Sequence, residues 1–469
     1  MPQVERKAQV ITAQTWERKF KPLFCAPHLE AKVQTSSGKL RYDNLDNAAT
    51  TKPFAAVMEE IEQVMRFYGS VHRGSGQHSQ ITTARYELAR ERVAHALGAT
   101  GRHHLLFTAN TTGSVNQLAM LYGGLPGTVL VSDIEHSSNL LPWRAHNKVI
   151  QYRTSETGEV DLDNVEAALR RQAAGGKSTR VKVLALTAAS NVIAYQPPLR
   201  ELARLAHTYD ATIAIDACQY VQHSRLDVGS LDSPTHLDFV SCSGHKMYAP
   251  FGAGVLLGPA AFFDRMPPPI IGGGNIAYIT SDGETIRRPG ARTHEAGTPN
   301  ALGAIAIDRA FQELARVGFG AIEEYEQALT DRLRHGLSSI REVSVLGPNE
   351  AGSVVPFVIH GQDAREVAGK LANHFGIGVR AGTFCTYELL RKLLHIDAEQ
   401  DLVIAAAVRR GELGHTPAVI RASISIWNRP EDIDRLIEAV RKLCPGRRRR
   451  ERSALAQESF GEQLRQASV

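Results

Sequence analysis

Short apolar runs alternate with amphipathic stretches between about residues 100 and 260 of the chain. The apolar runs are rich in Val, Ile and Leu and read HLLFT, TVLVSD, VKVLALT, ATIAID, LDFVSCS and GAGVLLG. Runs of this kind are typical of strands that are buried on both faces. Apolar residues at helical spacing predict helices between them, for example over 163–172 and 199–209. The alternation predicts an α/β layer built on a mostly parallel sheet.

The same pattern divides the chain into four segments. Residues 1–40 are polar and mixed, which predicts an N-terminal arm rather than a domain. We expect a large domain over 41–310, whose last part, 261–300, is rich in Gly and Pro and is typical of a functional loop region. A smaller α+β domain is predicted over 311–445, and a basic tail over 446–469 is predicted to be disordered.

The positive charge of the chain is concentrated in the tail. The chain has 54 Lys and Arg against 49 Asp and Glu, a net charge of +5. Residues 446–469 hold six Arg and three Glu and therefore account for three of these charges. The remaining body is close to neutral, which argues against a nucleic-acid-binding fold with a basic face. The arginine run 447–450 is the one feature that favours nucleic acid, and such runs are usually solvated.

The cysteines and the apolar pattern bear on the compartment. The five cysteines are odd in number, lie far apart and include no CxxC pair: Cys25, Cys218, Cys242, Cys385 and Cys444. This spacing argues against a disulfide framework or a thiolate metal site and favours a reducing compartment. The first 20 residues carry charges throughout and no apolar signal segment, and no apolar run approaches the roughly 20 residues of a membrane span. We predict a cytoplasmic protein without metal or membrane contact.

Polar residues close several of the predicted strands. Asp216 ends ATIAID, Lys246 follows LDFVSCS, Asn191 follows VKVLALT and His136 follows TVLVSD. Ligands of open α/β sheets bind at the carboxyl ends of strands. A lysine amine for a Schiff base, an acid for a pyridine nitrogen and nearby phosphate donors are what pyridoxal phosphate requires. The strand ends therefore predict a pyridoxal-phosphate site.

From about residue 40 to 445 the sequence resembles the class V (fold type I) aminotransferase family, and within it the cysteine desulfurase and selenocysteine lyase branch. The resemblance rests on motifs in family order: LDNAATT, VHRG, TANTTGSVN, EHSSNLLPW, SNVIA, DACQ, SGHKMYAPFGAGVL, IGGGN, HEAGTPN, RAGTFC and RASISIWN. One such motif is weak evidence, whereas many in order are strong evidence. The resemblance implies the pyridoxal-phosphate-dependent transferase fold of type I, with a large domain on a mostly parallel sheet and a smaller α+β C-terminal domain.

The resemblance implies a role for each residue around the cofactor ring. Lys246 would form the Schiff base and move the proton at the substrate Cα, and Asp216 would face the pyridine nitrogen. His136 would stack on the ring, Gln219 would bond the phenolate oxygen, and Asn191 would lie near the same edge. In isolation these residues have ordinary alternatives: a surface lysine, a strand-end aspartate that caps a turn, or a structural histidine.

The phosphate would lie at the start of the helix that follows TANTT. Free backbone N–H groups there favour an anion, and the hydroxyls of Thr111 and Thr112 are close by in the sequence. By resemblance, Ser243 and His245 complete the site, and Thr298 reaches the phosphate from the partner subunit of a homodimer. A well-capped helix is an alternative for TANTT, and both interpretations can hold together.

The substrate side of the site is also implied by resemblance. Arg421 matches the arginine that binds an amino-acid carboxylate, a task suited to the bidentate guanidinium. A strand arginine that faces solvent is the alternative. His72 and Arg73 of VHRG resemble residues that line the pocket, and Arg380 lies five residues before Cys385 as a further positive charge.

Cys385 separates the possible reactions, because desulfuration needs a nucleophile that transamination and lyase chemistry do not. By resemblance, this loop cysteine attacks the substrate sulfur and becomes a persulfide. A reactive thiol is expected to be partly exposed and near positive charge; the alternative is a buried, inert cysteine, the role we predict for Cys218 and Cys242 inside strands. The residues flanking Cys385 depart from the family pattern, and 398–417 reads as an insertion or altered loop.

The sequence thus predicts a homodimeric enzyme that converts L-cysteine to L-alanine and passes sulfur to an acceptor protein. One alternative is a related class V enzyme that acts on a different amino acid as a C–S or C–Se lyase, transaminase or epimerase. Another is a scaffold or sulfur-carrier partner that keeps the fold without catalysis. Retention of Lys246, Asp216, His136 and Arg421 together argues against the scaffold.

Overall fold

The computed structural model describes residues 13–348 and 352–444. The predicted basic tail at 446–469 lies outside the described residues, as do the first residues of the predicted arm. The helices are α1 (Ala13–Lys19), α2 (Ala26–Glu30), α3 (Ala55–Met65), α4 (Gln77–Ala96), α5 (Thr111–Gly123), α6 (Leu141–His146), α7 (Leu162–Ala174), α8 (Leu199–Thr208), α9 (Ala260–Arg265), α10 (Ala301–Val317), α11 (Phe319–Ser338), α12 (Ala364–Phe375), α13 (Tyr387–Leu393), α14 (Ala398–Arg409) and α15 (Pro430–Leu443).

The strands fall into one large sheet, one smaller sheet and three two-stranded ribbons. They are β1 (Lys32–Thr35), β2 (Gly38–Arg41), β3 (Asp43–Asn44), β4 (His103–Thr108), β5 (Thr128–Ser132), β6 (Lys148–Tyr152), β7 (Val181–Thr187), β8 (Thr212–Asp216), β9 (Phe239–Ser243), β10 (Gly254–Pro259), β11 (Ile276–Ile279), β12 (Thr285–Arg287), β13 (Val343–Val345), β14 (Val354–Ile359), β15 (Ile377–Gly378), β16 (Arg380–Gly382) and β17 (Val419–Ser423).

The large sheet confirms the predicted α/β layer. Its seven strands have the order β4-β10-β9-β8-β7-β5-β6, and only β10 runs antiparallel to its neighbours. Side chains of β7 alternate between two apolar layers, with Leu184 and Leu186 in one and Val183 and Ala185 in the other. Because both layers are buried, the strand reads as an unbroken apolar run.

A smaller antiparallel sheet, β13-β14-β17-β16, follows in the chain and is covered by helices α11 and α12, which α15 contacts in turn. Helix α10 leads into this part without a break, so the predicted boundary between residues 310 and 311 lies inside that helix. The short strand β3 pairs with β15 and thereby ties the start of the large domain to the smaller one. This contact brings Asp46 next to Ser423.

The predicted arm is more structured than its polar composition suggested. Residues 13–40 form α1, α2 and most of the β1–β2 hairpin. Trp16, Phe20 and Phe24 are buried, and the Trp16 indole N–H donates to the carbonyl of Ile426 at 3.1 Å. These aromatic residues recur at a spacing of four, which is helical, but they are few among polar neighbours. These buried aromatic side chains therefore anchor the arm to the small domain. The average polarity of the segment does not reveal them because they are few.

The predicted insertion at 398–417 contains α14, whose N-terminus is capped by a reciprocal pair of hydrogen bonds between Asp397 and Gln400. Leu402 and Val403 on this helix are exposed. In the part of the chain that the structure describes, we find no helix long and apolar enough to cross a membrane.

Candidate active site

A cavity of about 310 Å³ opens at the carboxyl ends of the parallel strands. It lies where the large and small domains meet, because residues of both line it. The predicted site residues that line it are Thr111, Thr112, His136, Asn191, Asp216, Gln219, Ser243, His245, Lys246, Arg380, Cys385 and Arg421. Neighbouring parallel strands end at the same edge of a sheet, which is why residues far apart in the sequence converge here.

Asp216 and Lys246 close two adjacent strands. Asp216 is the last residue of β8, is buried, and accepts a hydrogen bond from the Cys218 N–H at 3.0 Å through Oδ1. Lys246 ends the 3-10 turn Gly244–Lys246 that directly follows β9. Among the described residues, the Lys246 amine has no hydrogen-bond partner, so it is available to a ligand. A buried acid and an unpaired amine therefore line the same cavity.

His136 enters the cavity as a neutral ring. It precedes the 3-10 turn Ser137–Asn139, and its Nδ1 accepts a hydrogen bond from the Ser138 N–H at 3.1 Å, which leaves the proton on Nε2. Burial lowers the pKa of His136, and the charges of Lys246 and Arg421 lower it further against the opposing effect of Asp216. An uncharged aromatic ring in this position can stack on a flat ligand.

Glu135 supports the segment that carries His136. Its carboxyl group is buried and accepts hydrogen bonds from the Ser132 hydroxyl, from Asn139 Nδ2 at 2.7 Å and from the Thr187 N–H at 3.1 Å. Burial raises the pKa of Glu135 to about 8. These contacts fasten the His136 segment to the ends of β5 and β7. Sequence reasoning missed this role, although Glu135 stands within the EHSSN motif.

The predicted phosphate end lies at the N-terminus of α5. Asn110 caps this helix by accepting a hydrogen bond from the Gly113 N–H at 2.9 Å. The Thr111 hydroxyl is 2.8 Å from that of Ser243 and 2.7 Å from the Cys218 sulfur, and the Thr112 hydroxyl is 2.7 Å from that of Ser138. These hydroxyls therefore bond one another. The Thr111 N–H also donates to the Ser243 hydroxyl at 2.8 Å, so of the first three helical N–H groups only that of Thr112 has no acceptor among the described residues and can serve an anion.

Two buried polar atoms in the cavity lack a partner among the described residues. Gln219 donates from Nε2 to the carbonyl of Ala48 at 2.7 Å, but its Oε1 accepts no hydrogen bond. The Nε of Arg421 likewise has no acceptor. Unpaired buried polar groups are costly, so these two atoms are suited to a ligand that offers a donor to Gln219 and an acceptor to Arg421.

Arg421 on β17 is buried and held in place by protein groups. Its Nη2 pairs with Asp46 Oδ1 at 2.9 Å, its Nη1 donates to the Asn191 carbonyl at 3.0 Å, and its guanidinium lies 4.5 Å from the centre of the Phe384 ring. Burial lowers the pKa of Arg421, and Asp46 opposes this effect. The more exposed Arg380 lies 3.9 Å from the other oxygen of Asp46. Asp46, which sequence reasoning missed within LDNAATT, therefore links both arginines.

Cys385 lies on a tightly held loop after β16. Phe384 and Cys385 have φ angles of +52° and +56°, which are unfavourable for residues with a Cβ. The loop is fixed because Ser137 donates from its N–H (2.8 Å) and its hydroxyl (2.9 Å) to the Cys385 carbonyl. Asn191 donates to the Phe384 carbonyl at 2.9 Å and accepts from the Thr386 hydroxyl at 3.0 Å. Both ends of the Asn191 amide thus serve this loop.

The other cysteines differ from Cys385 in exposure. Cys385 is exposed, Cys218 and Cys242 are buried, and Cys25 and Cys444 are partly buried. Burial raises the pKa of Cys218 to about 11 and also raises that of Cys242. Cys242 lies inside β9 as predicted, whereas Cys218 lies just after β8, because strand pairing ends at Asp216. A high thiol pKa disfavours the thiolate, so neither buried cysteine suits a nucleophilic role.

Asn191→Ala is expected to slow any reaction that uses Cys385 by ~10–100-fold, because the buried Thr386 hydroxyl and the Phe384 carbonyl lose their partner. Binding of cofactor, followed by its absorbance, is expected to persist. Steady-state rates for this variant and for Asn164→Ala, an exposed residue of α7, provide the comparison. Equal rates in the two variants would show that the Asn191 amide does not position the Cys385 loop.

Three predicted residues do not line the cavity. His72 Nε2 lies 2.5 Å from Glu87, Arg73 donates to the Gly297 carbonyl at 3.1 Å, and Thr298 is exposed. Burial lowers the pKa of His72, and hydrogen bonding to Glu87 opposes this effect. The proposed contacts of His72, Arg73 and Thr298 with substrate or cofactor stay predictions.

Comparison with known proteins agrees with the motifs. The chain is 31% identical over 412 residues to a cysteine desulfurase of Klebsiella pneumoniae, covering 85% of this chain and 92% of that protein. It is 32% identical over 409 residues to a probable cysteine desulfurase of Vibrio cholerae, with the same coverage.

Solved structures of similar proteins share the fold. The apo cysteine desulfurase of Thermococcus onnurineus superposes with a TM-score of 0.74 at 29% identity, covering 86% of this chain and 94% of that one. The cysteine desulfurase CsdA of Escherichia coli has a TM-score of 0.72 at 29% identity, with 87% and 96% coverage. The aminotransferase class-V profile matches residues 43–436. The chain therefore belongs to the aminotransferase class-V family.

Proposed function

We propose that this protein is a pyridoxal-phosphate-dependent cysteine desulfurase that converts L-cysteine to L-alanine and receives the sulfur on Cys385. The observation that carries the proposal is the exposed Cys385 on a fixed loop that lines the same cavity as Lys246, Asp216 and Arg421. Transaminases need the last three residues but no loop thiol. The names of the similar proteins support the same reaction.

The cavity fits pyridoxal phosphate by its donor set. The Lys246 amine would hold the cofactor covalently, Asp216 would keep the pyridine nitrogen protonated, and the neutral His136 ring would stack on it. The unpaired Gln219 Oε1 is suited to the polar edge of the cofactor, and the Thr112 N–H at the start of α5, with the hydroxyls of Thr111 and Ser243, is suited to the phosphate. When bound, the cofactor supplies an electron sink for the substrate Cα.

Residues of the chain bind the substrate and move its proton. The Arg421 guanidinium binds the substrate carboxylate with N–H groups that Asp46 and Asn191 leave free, and these partners fix its orientation. Lys246 Nζ takes the proton from the substrate Cα and later returns one. Lys246 ends the turn that directly follows β9, and this position brings its amine into the cavity that Arg421 also lines.

Cys385 performs the sulfur transfer. Its thiolate attacks the substrate Sγ, a new S–S bond forms, and the Cβ–Sγ bond breaks with its electron pair left on carbon. A proton then adds at Cβ and balances the one that Cys385 gave up as it became a thiolate. The products are alanine and a Cys385 persulfide whose terminal sulfur keeps the substrate's thiol proton. No external oxidant or reductant is consumed in this half-reaction.

We further propose that the protein acts as a homodimer in the cytoplasm and passes the persulfide sulfur to an acceptor protein. Thr298 is exposed and does not line the cavity of its own chain, which supports a contact with the cofactor of a second copy. The exposure of Cys385 supports access by an acceptor thiol.

The test is the intact mass of the holoprotein after brief exposure to L-cysteine. We expect the mass to rise by one sulfur atom, the addition to map to the peptide that contains Cys385, and one alanine to form per sulfur. Dithiothreitol is expected to remove the sulfur as sulfide and to restore the original mass. Alanine formation without sulfur on Cys385, or no alanine at all, would contradict the proposal.

A further inference from the structure

A cluster of two histidines and one aspartate lies at the edge of the large sheet opposite the cavity. His207 is in the last turn of α8, and His236 and Asp238 are in the segment that leads into β9. Strands β8 and β9 are parallel and end at the cavity, so the start of β9 lies at the far edge. The cluster is therefore separate from the proposed active site.

The three side chains present their ligand atoms to one point. His207 Nε2 is 2.9 Å from Asp238 Oδ2, and His236 Nε2 is 3.1 Å from Asp238 Oδ1. All three ligand atoms lie within 4.8 Å of one another. Metal bonds to nitrogen and oxygen of about 2.0–2.2 Å place the ligands of one ion about 3–3.5 Å apart. The cluster already has nearly this spacing.

The hydrogen bonds of the other ring nitrogens, the Nδ1 atoms, indicate which tautomer each histidine adopts. His207 Nδ1 is 2.8 Å from the Pro234 carbonyl, and His236 Nδ1 is 2.6 Å from the Ser233 carbonyl. A carbonyl only accepts hydrogen bonds, so each Nδ1 carries a proton. In the neutral rings both Nε2 lone pairs then point at a carboxylate that is also only an acceptor. The contact calls for a positive charge, either a proton on one Nε2 or a metal ion; the hydrogen bond to Asp238 raises the pKa of His236 and favours the proton there.

Protonation of the rings satisfies this need less well than a metal ion. The two imidazoles are stacked with centroids 4.2 Å apart and planes at 22°, so two imidazolium charges would repel at close range. One added proton would leave the other Nε2 lone pair against a carboxylate oxygen. Metal-binding histidines commonly donate their second N–H to a backbone carbonyl, as both of these rings do.

We propose that His207, His236 and Asp238 form a structural site for a divalent transition metal ion, with zinc as the expected occupant. Two imidazole nitrogens and one carboxylate oxygen are ligands that this ion accepts. The side chains of His207, His236 and Asp238 are 18%, 13% and 9% exposed, so water can complete the coordination. The ion would join the end of α8 to the start of β9.

The surrounding protein holds the cluster in shape without the ion. Asp238 Oδ2 also accepts a hydrogen bond from the Ile213 N–H of β8 at 2.9 Å. Arg200 donates to the Thr235 carbonyl at 2.8 Å and to the Val228 carbonyl at 3.3 Å, which fixes the segment between β8 and β9. Little order is lost on binding when the ligands are already in place.

The test is zinc binding to tag-free holoprotein by equilibrium dialysis and metal analysis. The parent is the Cys385→Ala variant, which removes the exposed thiol as a competing ligand. We expect about one zinc per chain, an affinity at least ~10-fold lower in His207→Gln and in His236→Gln, and no change in His95→Gln, an exposed histidine of α4. A rise in the unfolding temperature of the parent with zinc provides a measurement that needs no cluster variant.

Two results would overturn the metal site. One is the absence of zinc uptake and of thermal stabilisation in the parent. The other is zinc binding by folded His207→Gln or His236→Gln with the affinity of His95→Gln, because the metal would then lie elsewhere. Visible absorption of bound Co²⁺, present in the parent and lost in a folded cluster variant, would support the assignment of the ligands.

Discussion

Cys385→Ala is expected to lower the rate of alanine formation from L-cysteine by at least ~1,000-fold, because no other group at the site can accept the substrate sulfur. Arg421, Asp216 and Lys246 stay in place, so cofactor absorbance and binding of L-cysteine are expected to persist. Lost turnover with retained binding is the pattern of a group that acts only in the chemical step. Alanine and sulfide are measured in the presence of dithiothreitol.

The matched control is Cys25→Ala, which removes a partly buried thiol that caps no helix by its side chain. We expect this variant to keep the parent rate. If Cys385→Ala also keeps that rate, the thiol is not the nucleophile, and the alternative of a lyase or transaminase on another amino acid gains support. A spectral screen of amino acids against the cofactor band would then identify the substrate.

Lys246→Ala is expected to remove both the covalent attachment of the cofactor and the base at the substrate Cα. The rate of alanine formation is expected to fall by at least ~1,000-fold, since a positioned base alone contributes about 100–10,000-fold. The persulfide on Cys385 should fail to form. Intact mass after borohydride reduction provides a second measurement, because reduction fixes cofactor to the lysine that holds it.

Lys148→Ala on β6 is the matched control, because this exposed lysine lies away from the cavity. In Lys148→Ala, as in the parent protein, borohydride reduction is expected to fix the cofactor to the peptide that contains Lys246. Label on any other lysine, or a Lys246→Ala variant that turns over L-cysteine at the parent rate, would show that Lys246 is not the amine at this site.

The large sheet could be predicted well because its pattern is local. Strands such as β7 and β8 are buried on both faces, so each reads as an apolar run without reference to the rest of the chain. The N-terminal arm could not be predicted in the same way. Trp16, Phe20 and Phe24 pack on residues such as Trp427, which lies hundreds of positions later, and no local average reveals such a partner.

At the site, the residues predicted from strand ends and motifs do line one cavity, but their contacts could not be predicted. Asn191 was expected beside the cofactor, yet both ends of its amide bond the Cys385 loop. Glu135 and Asp46 stand inside recognised motifs, and their roles depend on Thr187 and Arg421, which other parts of the chain supply. Hydrogen-bond partners that lie far apart in the sequence have no signature at fixed spacing.

The sequence by itself determined the family and the α/β layer. It also determined that a lysine and an acid follow strands and that a thiol lies in a loop, because periodicity and motif order are properties of the chain alone. Only the tertiary structure decided that Asp46 joins Arg421 to Arg380 and that His207, His236 and Asp238 face one point. These arrangements depend on how α8, β3 and β17 pack, and packing distances between separate elements are set by the whole core rather than by any local pattern.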